Sequence, residues 1–273
     1  MSELNKFMKY DNGTLYNADC VDVMKYMEDN GIKVSLTLTS PPYDNLRTYN
    51  NSSCWNFEKF KEIAQHIYNV TEEGGVVVWV VGDACVAGSE TGSSFRQALY
   101  FMELGFKLHD TMIFEKNSSS FPARRGSKRY TQIFEYMFIF VKGKIHDCVL
   151  LADKPNKWAG YTNWGNNTQY DKDGNLIQTD NIKPVPQFSI RNNIWKYSVG
   201  FNKRKGHPAQ FPDQLAIDHI KSWTLENDLV FDPFMGSGTT AIASIRTGRR
   251  FIGSEIDETY FNLASDYIGR EYK

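Results

Sequence analysis

Two short stretches, far apart in the chain, carry residue types suited to chemistry on a flat, amino-bearing molecule. The first is Ser40-Pro41-Pro42-Tyr43. Two consecutive prolines fix two φ angles and remove two N–H donors, and they push Ser40 towards an extended backbone. The resulting stiff turn offers acceptors, a hydroxyl and carbonyl oxygens, beside the ring of Tyr43. Acceptors take hydrogens from an NH2 group, and a ring face stacks on a planar partner. In isolation Pro-Pro-Tyr also serves as a loop stiffener. Here it follows the β-branched run Val34-Ser35-Leu36-Thr37-Leu38-Thr39, which reads as a buried strand. That places the turn at a strand end, where α/β sheets hold ligands.

The second stretch is Asp232-Pro233-Phe234-Met235-Gly236-Ser237-Gly238-Thr239-Thr240. Its glycines permit a tight turn and close approach of a ligand to backbone. It follows one strand and opens a helix, and the next strand ends at Glu255, an acidic residue placed for ribose hydroxyls about 20 residues on. A phosphate-binding loop needs a lysine before its Ser/Thr, and Gly236-Ser237-Gly238-Thr239-Thr240 has none. The third glycine of a dinucleotide fingerprint is also absent. Asp232 would repel phosphate and attract a cation. S-adenosylmethionine meets these conditions: ammonium, sulfonium and ribose hydroxyls, with no phosphate.

The elements that must position these motifs follow an α/β rhythm. Strands are predicted at 14–16, 34–39, 76–81, 106–114, 133–141, 228–231 and 249–254. Helices are predicted at 21–28, 57–70, 94–104, 213–223, 241–247 and 258–270. Asp19 stands as an N-cap of the first helix. Residues 44–56, with Arg47, Tyr49 and Trp55, form a candidate flap. Between the strands at 106–114 and 133–141 lies a basic loop, residues 116–130, with Lys116, Arg124, Arg125, Lys128 and Arg129 and no acidic residue. Residues 144–189 lose the rhythm and are rich in Asn, Gly, Trp and Tyr, including Trp158, Tyr161 and Trp164. From 181 to 212 there is no Asp or Glu, while Lys183, Arg191, Lys196, Lys203, Arg204 and Lys205 accumulate. A solvated charge run is the ordinary reading of either basic stretch; phosphate contact requires independent evidence of nucleic-acid binding.

The 273 residues suffice for one large α/β domain with an insertion. A net charge of −1 confines any nucleic-acid surface to local patches. The four cysteines form no C-x-x-C pair, which argues against a metal site or a disulfide framework and fits a reducing cytoplasm. The first ten residues lack an apolar leader core, and no apolar run is long enough to span a bilayer. A cytoplasmic location without membrane association is therefore expected.

Together, Ser-Pro-Pro-Tyr at 40–43 and Asp-Pro-Phe-x-Gly-Ser-Gly-Thr-Thr at 232–240 resemble the catalytic and cofactor motifs of bacterial site-specific DNA amino-methyltransferases. Their order resembles that of the permuted β group. His207-Pro208-Ala209-Gln210-Phe211-Pro212 is similar to the segment preceding the cofactor motif, with Phe211 where lysine is usual. The resemblance implies a Rossmann-like S-adenosylmethionine-dependent methyltransferase fold, a mostly parallel twisted sheet with helices on both faces. It divides the chain into a catalytic half (1–143), an irregular target-recognition insertion (144–190) and a cofactor-binding half (191–273). It assigns target chemistry to Ser40, Pro41, Pro42 and Tyr43. Asp232, Pro233, Phe234, Gly236, Ser237, Gly238 and Thr239 would border the cofactor, with Glu255 on the ribose. Asp19 and Cys20 would lie by the adenine, and His207 near the methionine end. Arg47, Arg124, Arg125, Lys128, Arg129, Lys203, Arg204 and Lys205 would grip double-stranded DNA. A homodimer and a separately encoded restriction endonuclease are partners the resemblance allows.

Family members with Ser before Pro-Pro-Tyr usually act on cytosine N4 and those with Asp on adenine N6, so Ser40 leans the reading to cytosine N4, with adenine N6 the alternative. RNA or protein-amide methyltransferases with similar pockets usually carry Asn at this position and the opposite motif order. A DNA-binding module that lost catalysis is the non-enzymatic alternative.

Overall fold

The computed structural model describes residues 4, 6–42, 55–117, 128–146, 148–162, 168–178, 183–199 and 210–272. They form two compact units: Met1–Val149 with Asn193–Lys273, and Leu150–Asn192. The first unit is built on a nine-stranded sheet. Its strands are β1 (Phe7–Tyr10), β2 (Gly13–Tyr16), β3 (Val34–Thr39), β4 (Thr71–Val81), β5 (Phe106–Lys116), β6 (Phe134–Lys142), β7 (Ile194–Tyr197), β8 (Leu229–Asp232) and β9 (Arg250–Ser254). Across the sheet they run β1-β2-β9-β8-β3-β4-β6-β5-β7. The pairs β2/β9, β9/β8, β8/β3, β3/β4 and β5/β7 are parallel; β1/β2, β4/β6 and β5/β6 are antiparallel.

Among the described residues six helices cover the sheet: α1 (Cys20–Asp29), α2 (Phe57–Val70), α3 (Ser93–Glu103), α4 (Asp213–Trp223), α5 (Thr239–Arg246) and α6 (Glu258–Arg270). Consecutive residues of a strand face opposite ways, and β9 shows where the two layers lie. Ile252 packs into the core shared with α1, α2 and α3, while Phe251 packs with α5 and α6. Helices therefore lie on both faces, as expected. Polar caps set the helix starts: the Asp19 carboxylate accepts from Val21 N at 2.8 Å, and the Asn56 side chain accepts from Lys59 N at 2.9 Å.

In the large sheet, three elements among the described residues depart from the sequence reading. Glu73-Gly74-Gly75 is not a break before the strand. Helix α2 stops at Val70, and β4 already begins at Thr71. Gly74 adopts φ +83°, and the β3/β4 register shifts between Val34 and Leu36, absorbing the irregularity inside the strand. Residues 7–10 form a hairpin strand with 13–16. Ile194–Tyr197, inside the basic stretch, is a sheet strand parallel to β5. Its Trp195 is buried against the ring of His219, with centroids 4.6 Å apart.

The order of β8 and β3 creates the site. From β8 the chain passes through α5 to β9 on one side; from β3 it passes through α2 to β4 on the other. Such a reversal opens a crevice at the carboxyl ends of the two strands. Both motifs begin there. No helix among the described residues is long and apolar enough to cross a membrane.

Candidate active site

Asp232 ends β8 and Thr39 ends β3. The Thr39 hydroxyl donates to Asp232 Oδ1 at 2.6 Å, and the Thr240 hydroxyl donates to Asp232 Oδ2 at 2.6 Å. Phe234 N adds a third bond to Oδ1 at 3.0 Å. Asp232 is 2% exposed. Burial pushes its carboxyl up to about 6, against the lowering effect of Thr240, Thr39 and the Phe234 N–H. The carboxylate is thus an internal brace that joins the start of the glycine loop to the strand end before Ser40-Pro41-Pro42.

Glu255 follows β9. Its Oε2 accepts from Gly236 N at 2.8 Å, and Oε1 accepts from Asp257 N at 2.9 Å. Burial pushes this carboxyl up to about 7, against the two backbone N–H donors, while the charges of Asp257 and Asp232 push the same way as burial. Gly236 has φ +55° and Gly238 φ +86°, conformations that glycine adopts without a Cβ penalty. Asn17 Nδ2 donates to the Glu255 carbonyl at 2.8 Å, and Glu255 N donates to the Tyr16 carbonyl at 3.0 Å. Ser254 Oγ donates to the Pro233 carbonyl at 2.8 Å. The loop, the β9 end and the β2 end therefore form one hydrogen-bonded rim.

Phe234 is walled by two tryptophans, with the ring of Trp55 edge-on at 5.6 Å and that of Trp79 at 6.4 Å. Thr239 is buried at the first turn of α5. Ser237 Oγ is buried with no hydrogen-bond partner among the described residues. An orphaned hydroxyl inside a glycine loop is the kind of group a bound ligand satisfies.

Asp19 caps α1 and also faces Lys59 Nζ at 3.4 Å. Cys20 is buried in the core, and burial pushes its thiol well up, so it packs as a neutral side chain. Arg129 donates to the Gly88 carbonyl and faces Glu90 at 3.6 Å, and Lys128 is exposed. Several other cations of the basic stretches have acidic partners: Lys116 with Glu135, Lys196 with Glu115 and Arg191 with Asp153. Tyr43, Arg47, Arg124, Arg125, Trp164, Lys203, Arg204, Lys205 and His207 lie outside the described residues.

The supporting roles of Thr39, Thr240 and Asn17 escape sequence reasoning. Thr39 directly precedes one motif and Thr240 is the last residue of the other, yet nothing in spacing shows that their hydroxyls converge on one carboxylate.

The sequence matches the family model N6_N4_Mtase, described as DNA methylase, over residues 34–266. The chain belongs to this family. The methylase is 53% identical over 241 residues to the orphan methyltransferase M.BamHII of Bacillus amyloliquefaciens, covering 86% of this chain and 88% of that one. It is 26% identical to the type II methyltransferase M.BglII of Bacillus subtilis, over 98% of this chain and 72% of that one. Among solved structures, the M1.HpyAVI–SAM complex matches with a TM-score of 0.63 at 26% identity, over 92% of this chain and 97% of that one. PvuII DNA methyltransferase, cytosine-N4-specific, matches with a TM-score of 0.67 at 20% identity, over 97% and 92% of the two chains. The latter likeness is one of fold. The methylase has the Rossmann-like fold of these enzymes, and its activity is that of a DNA amino-methyltransferase.

Proposed function

We propose that this methylase transfers a methyl group from S-adenosylmethionine to cytosine N4 within a specific sequence of double-stranded DNA. The observation that carries the reading is the Thr39–Asp232 hydrogen bond of 2.6 Å, which holds the Ser40-Pro41-Pro42 turn against the start of the glycine loop. An amino-binding turn and a nucleoside-binding loop thus share one crevice.

The residues present fit the cofactor. Glu255 supplies carboxylate oxygens for ribose hydroxyls, the glycines at 236 and 238 admit close backbone approach, and Ser237 holds an unsatisfied hydroxyl. Asp232 and Glu255 supply negative charge for a cationic ligand. Asp232 does so from within the brace, since its oxygens already accept from Thr39, Thr240 and Phe234. When bound, S-adenosylmethionine supplies an electrophilic methyl group on sulfur.

The chain's own residues make the amino nitrogen able to accept that methyl group. Conjugation with the ring leaves an exocyclic amino nitrogen weakly nucleophilic. The Ser40 hydroxyl and the Pro41 carbonyl accept its hydrogens and draw them out of the base plane, which localises the lone pair on nitrogen. Tyr43 stacks on the base. Positioning supplies much of the remaining acceleration. No cysteine nucleophile is needed. The base leaves the duplex to reach this pocket, at a cost of a few kcal/mol, while Arg47, Arg124, Arg125, Lys128, Arg129, Lys203, Arg204 and Lys205 hold phosphates. The unit Leu150–Asn192, with exposed Trp158 and Tyr161, reads sequence. Cytosine is favoured over adenine by Ser40 at the position before Pro-Pro-Tyr.

The test is incubation with labelled S-adenosylmethionine and unmethylated mixed-sequence DNA, followed by nucleoside mass spectrometry. N4-methylcytosine is expected. N6-methyladenine overturns the base assignment, and label confined to RNA or protein overturns the DNA substrate.

A further inference from the structure

Trp55 stands where the chain enters α2, and its surroundings hold it there. The next residue, Asn56, is the N-cap of α2, its side chain accepting from Lys59 N at 2.9 Å. Phe57 then packs on Phe60, with ring centroids 5.6 Å apart. The Trp55 ring is partly buried against the core and lies perpendicular to the ring of Phe234, at 5.6 Å and 86°. From Phe234 the ring contacts continue to Trp79 at 6.4 Å, and from Trp79 to Phe101 at 5.1 Å. Trp79 is fully buried, and its Nε1 donates to Gln97 Oε1 at 2.8 Å. Trp55 is thus the outer end of an aromatic column whose inner end is fixed in the core. A perpendicular contact occupies at most one face of the indole, so Phe234 leaves the other face open to a ligand.

The order of the strand ends says what such a ligand presents. Glu255 follows β9, Asp232 ends β8 and Ser40 follows β3. These strands are neighbours in the order β9-β8-β3, about 4.8 Å apart. With the ribose on Glu255 and the target amino group on Ser40, the sulfur between them must lie over the end of β8. There the chain turns from Asp232 to Phe234, whose N–H bonds to the Asp232 carboxylate at 3.0 Å. Trp55 meets this turn through Phe234.

The sulfur of S-adenosylmethionine is a sulfonium cation. The face of an aromatic ring attracts a cation within about 6 Å of its centroid, and indole does so most strongly. Methyl transfer leaves the C–S electron pair on sulfur, so the sulfonium becomes the neutral thioether of S-adenosylhomocysteine. The attraction is then lost. An indole face at this place therefore tells the methyl-bearing cofactor from its product.

We propose that Trp55 recognises the sulfonium charge and sets the preference of the site for S-adenosylmethionine over S-adenosylhomocysteine. This role rests on the reading of Glu255 as the ribose acceptor and deepens it.

Calorimetric titration of the full chain with each of the two ligands tests it. Trp55→Leu keeps an apolar side chain against Phe234 and removes the ring. It is expected to weaken S-adenosylmethionine about tenfold and S-adenosylhomocysteine less than about threefold. Trp55→Phe keeps a smaller ring face, and its affinity for S-adenosylmethionine is expected to fall between wild type and Trp55→Leu. Equal losses for the two ligands would assign Trp55 to packing on Phe234 alone, and unchanged affinities would put the ring out of reach of the cofactor; either result overturns the proposal. Glu255→Gln, titrated in parallel, checks the reading beneath it. The ribose is common to both ligands, so both are expected to weaken equally. Wild-type affinity in Glu255→Gln would overturn the ribose placement, while the selectivity of Trp55→Leu still decides the role of Trp55.

Discussion

Thr39 and Asp232, separated by 193 positions in sequence, are joined by a hydrogen bond of 2.6 Å in the floor of the crevice. Both residues are buried. Asp232 is the first residue of the glycine loop proposed to hold the cofactor, and Thr39 immediately precedes the Ser40-Pro41-Pro42 turn proposed to bind the target amino group. The bond sets how far apart the two motifs can move.

Thr39→Val removes one of three donors from a buried carboxylate while keeping side-chain volume. The expected cost is about 1–3 kcal/mol of stability, together with weaker cofactor binding. Thr39→Ser keeps the hydroxyl and is expected to lose less than about 1 kcal/mol. Denaturant unfolding and calorimetric titration of both variants check this; equal losses would show that packing, not the hydroxyl, matters here.

The two buried carboxyls make stability depend on pH. Their ordinary values are 3.8 for Asp232 and 4.5 for Glu255, and burial raises them to about 6 and about 7 in the fold. Between the ordinary and raised values the folded chain binds more protons than the unfolded chain. Their contribution to stability therefore falls as pH rises through that window. Glu255→Gln removes the Glu255 part. The stability of this variant relative to wild type is expected to improve by about 2–3 kcal/mol between pH 4.5 and pH 7.5. Urea unfolding across that range measures it, and a difference independent of pH would refute the assignment.

Cofactor affinity carries the opposite trend. An ionised Glu255 is the better acceptor for ribose hydroxyls, so binding of S-adenosylmethionine is expected to tighten as pH rises towards about 7 and to level off above it. The slope approaches about tenfold per pH unit well below that value. Titrations of wild type and Glu255→Gln side by side separate this from the cofactor's own ionisations, with the variant weaker and flatter.

Ser40→Ala removes one proposed acceptor of the amino hydrogens without touching the glycine loop. The turnover rate is expected to fall by about 10²–10³-fold, with cofactor affinity changed by less than about twofold. Single-turnover kinetics with equilibrium binding decide it. A rate close to wild type would remove Ser40 from the reaction.

Gly238 caps α5 with φ +86°, and a Cβ there would stand 3.3 Å from Ile268 Cγ1 and 3.5 Å from Ala264 Cβ. Gly238→Ala is expected to cost about 1–2 kcal/mol from the left-handed backbone alone, seen as a lower melting temperature. It should also weaken cofactor binding, because the loop must shift to relieve the contact.

Much of this molecule is legible in its amino-acid order. Apolar runs separated by helical periodicities specify a sheet covered on both faces, because burial of each run needs a layer against it. Pro41-Pro42 dictates a donor-free turn, and the glycines at 236 and 238 dictate a loop that takes positive φ. These are local properties, carried by neighbours in the chain. The tertiary structure alone decided the contacts between distant residues. It brought Thr39 and Thr240 to one carboxylate, tied Gly236 N to Glu255, and paired Lys116 with Glu135 and Lys196 with Glu115. It also recruited Phe7–Tyr10 and Ile194–Tyr197 as sheet strands. Strands of four residues are too short to show a period; Phe7–Tyr10 pairs with the adjoining Gly13–Tyr16, and Ile194–Tyr197 with the distant Ile113–Lys116. The residue types proposed to carry the reaction are written in the motifs; the crevice that joins them exists only once β8 and β3 lie side by side.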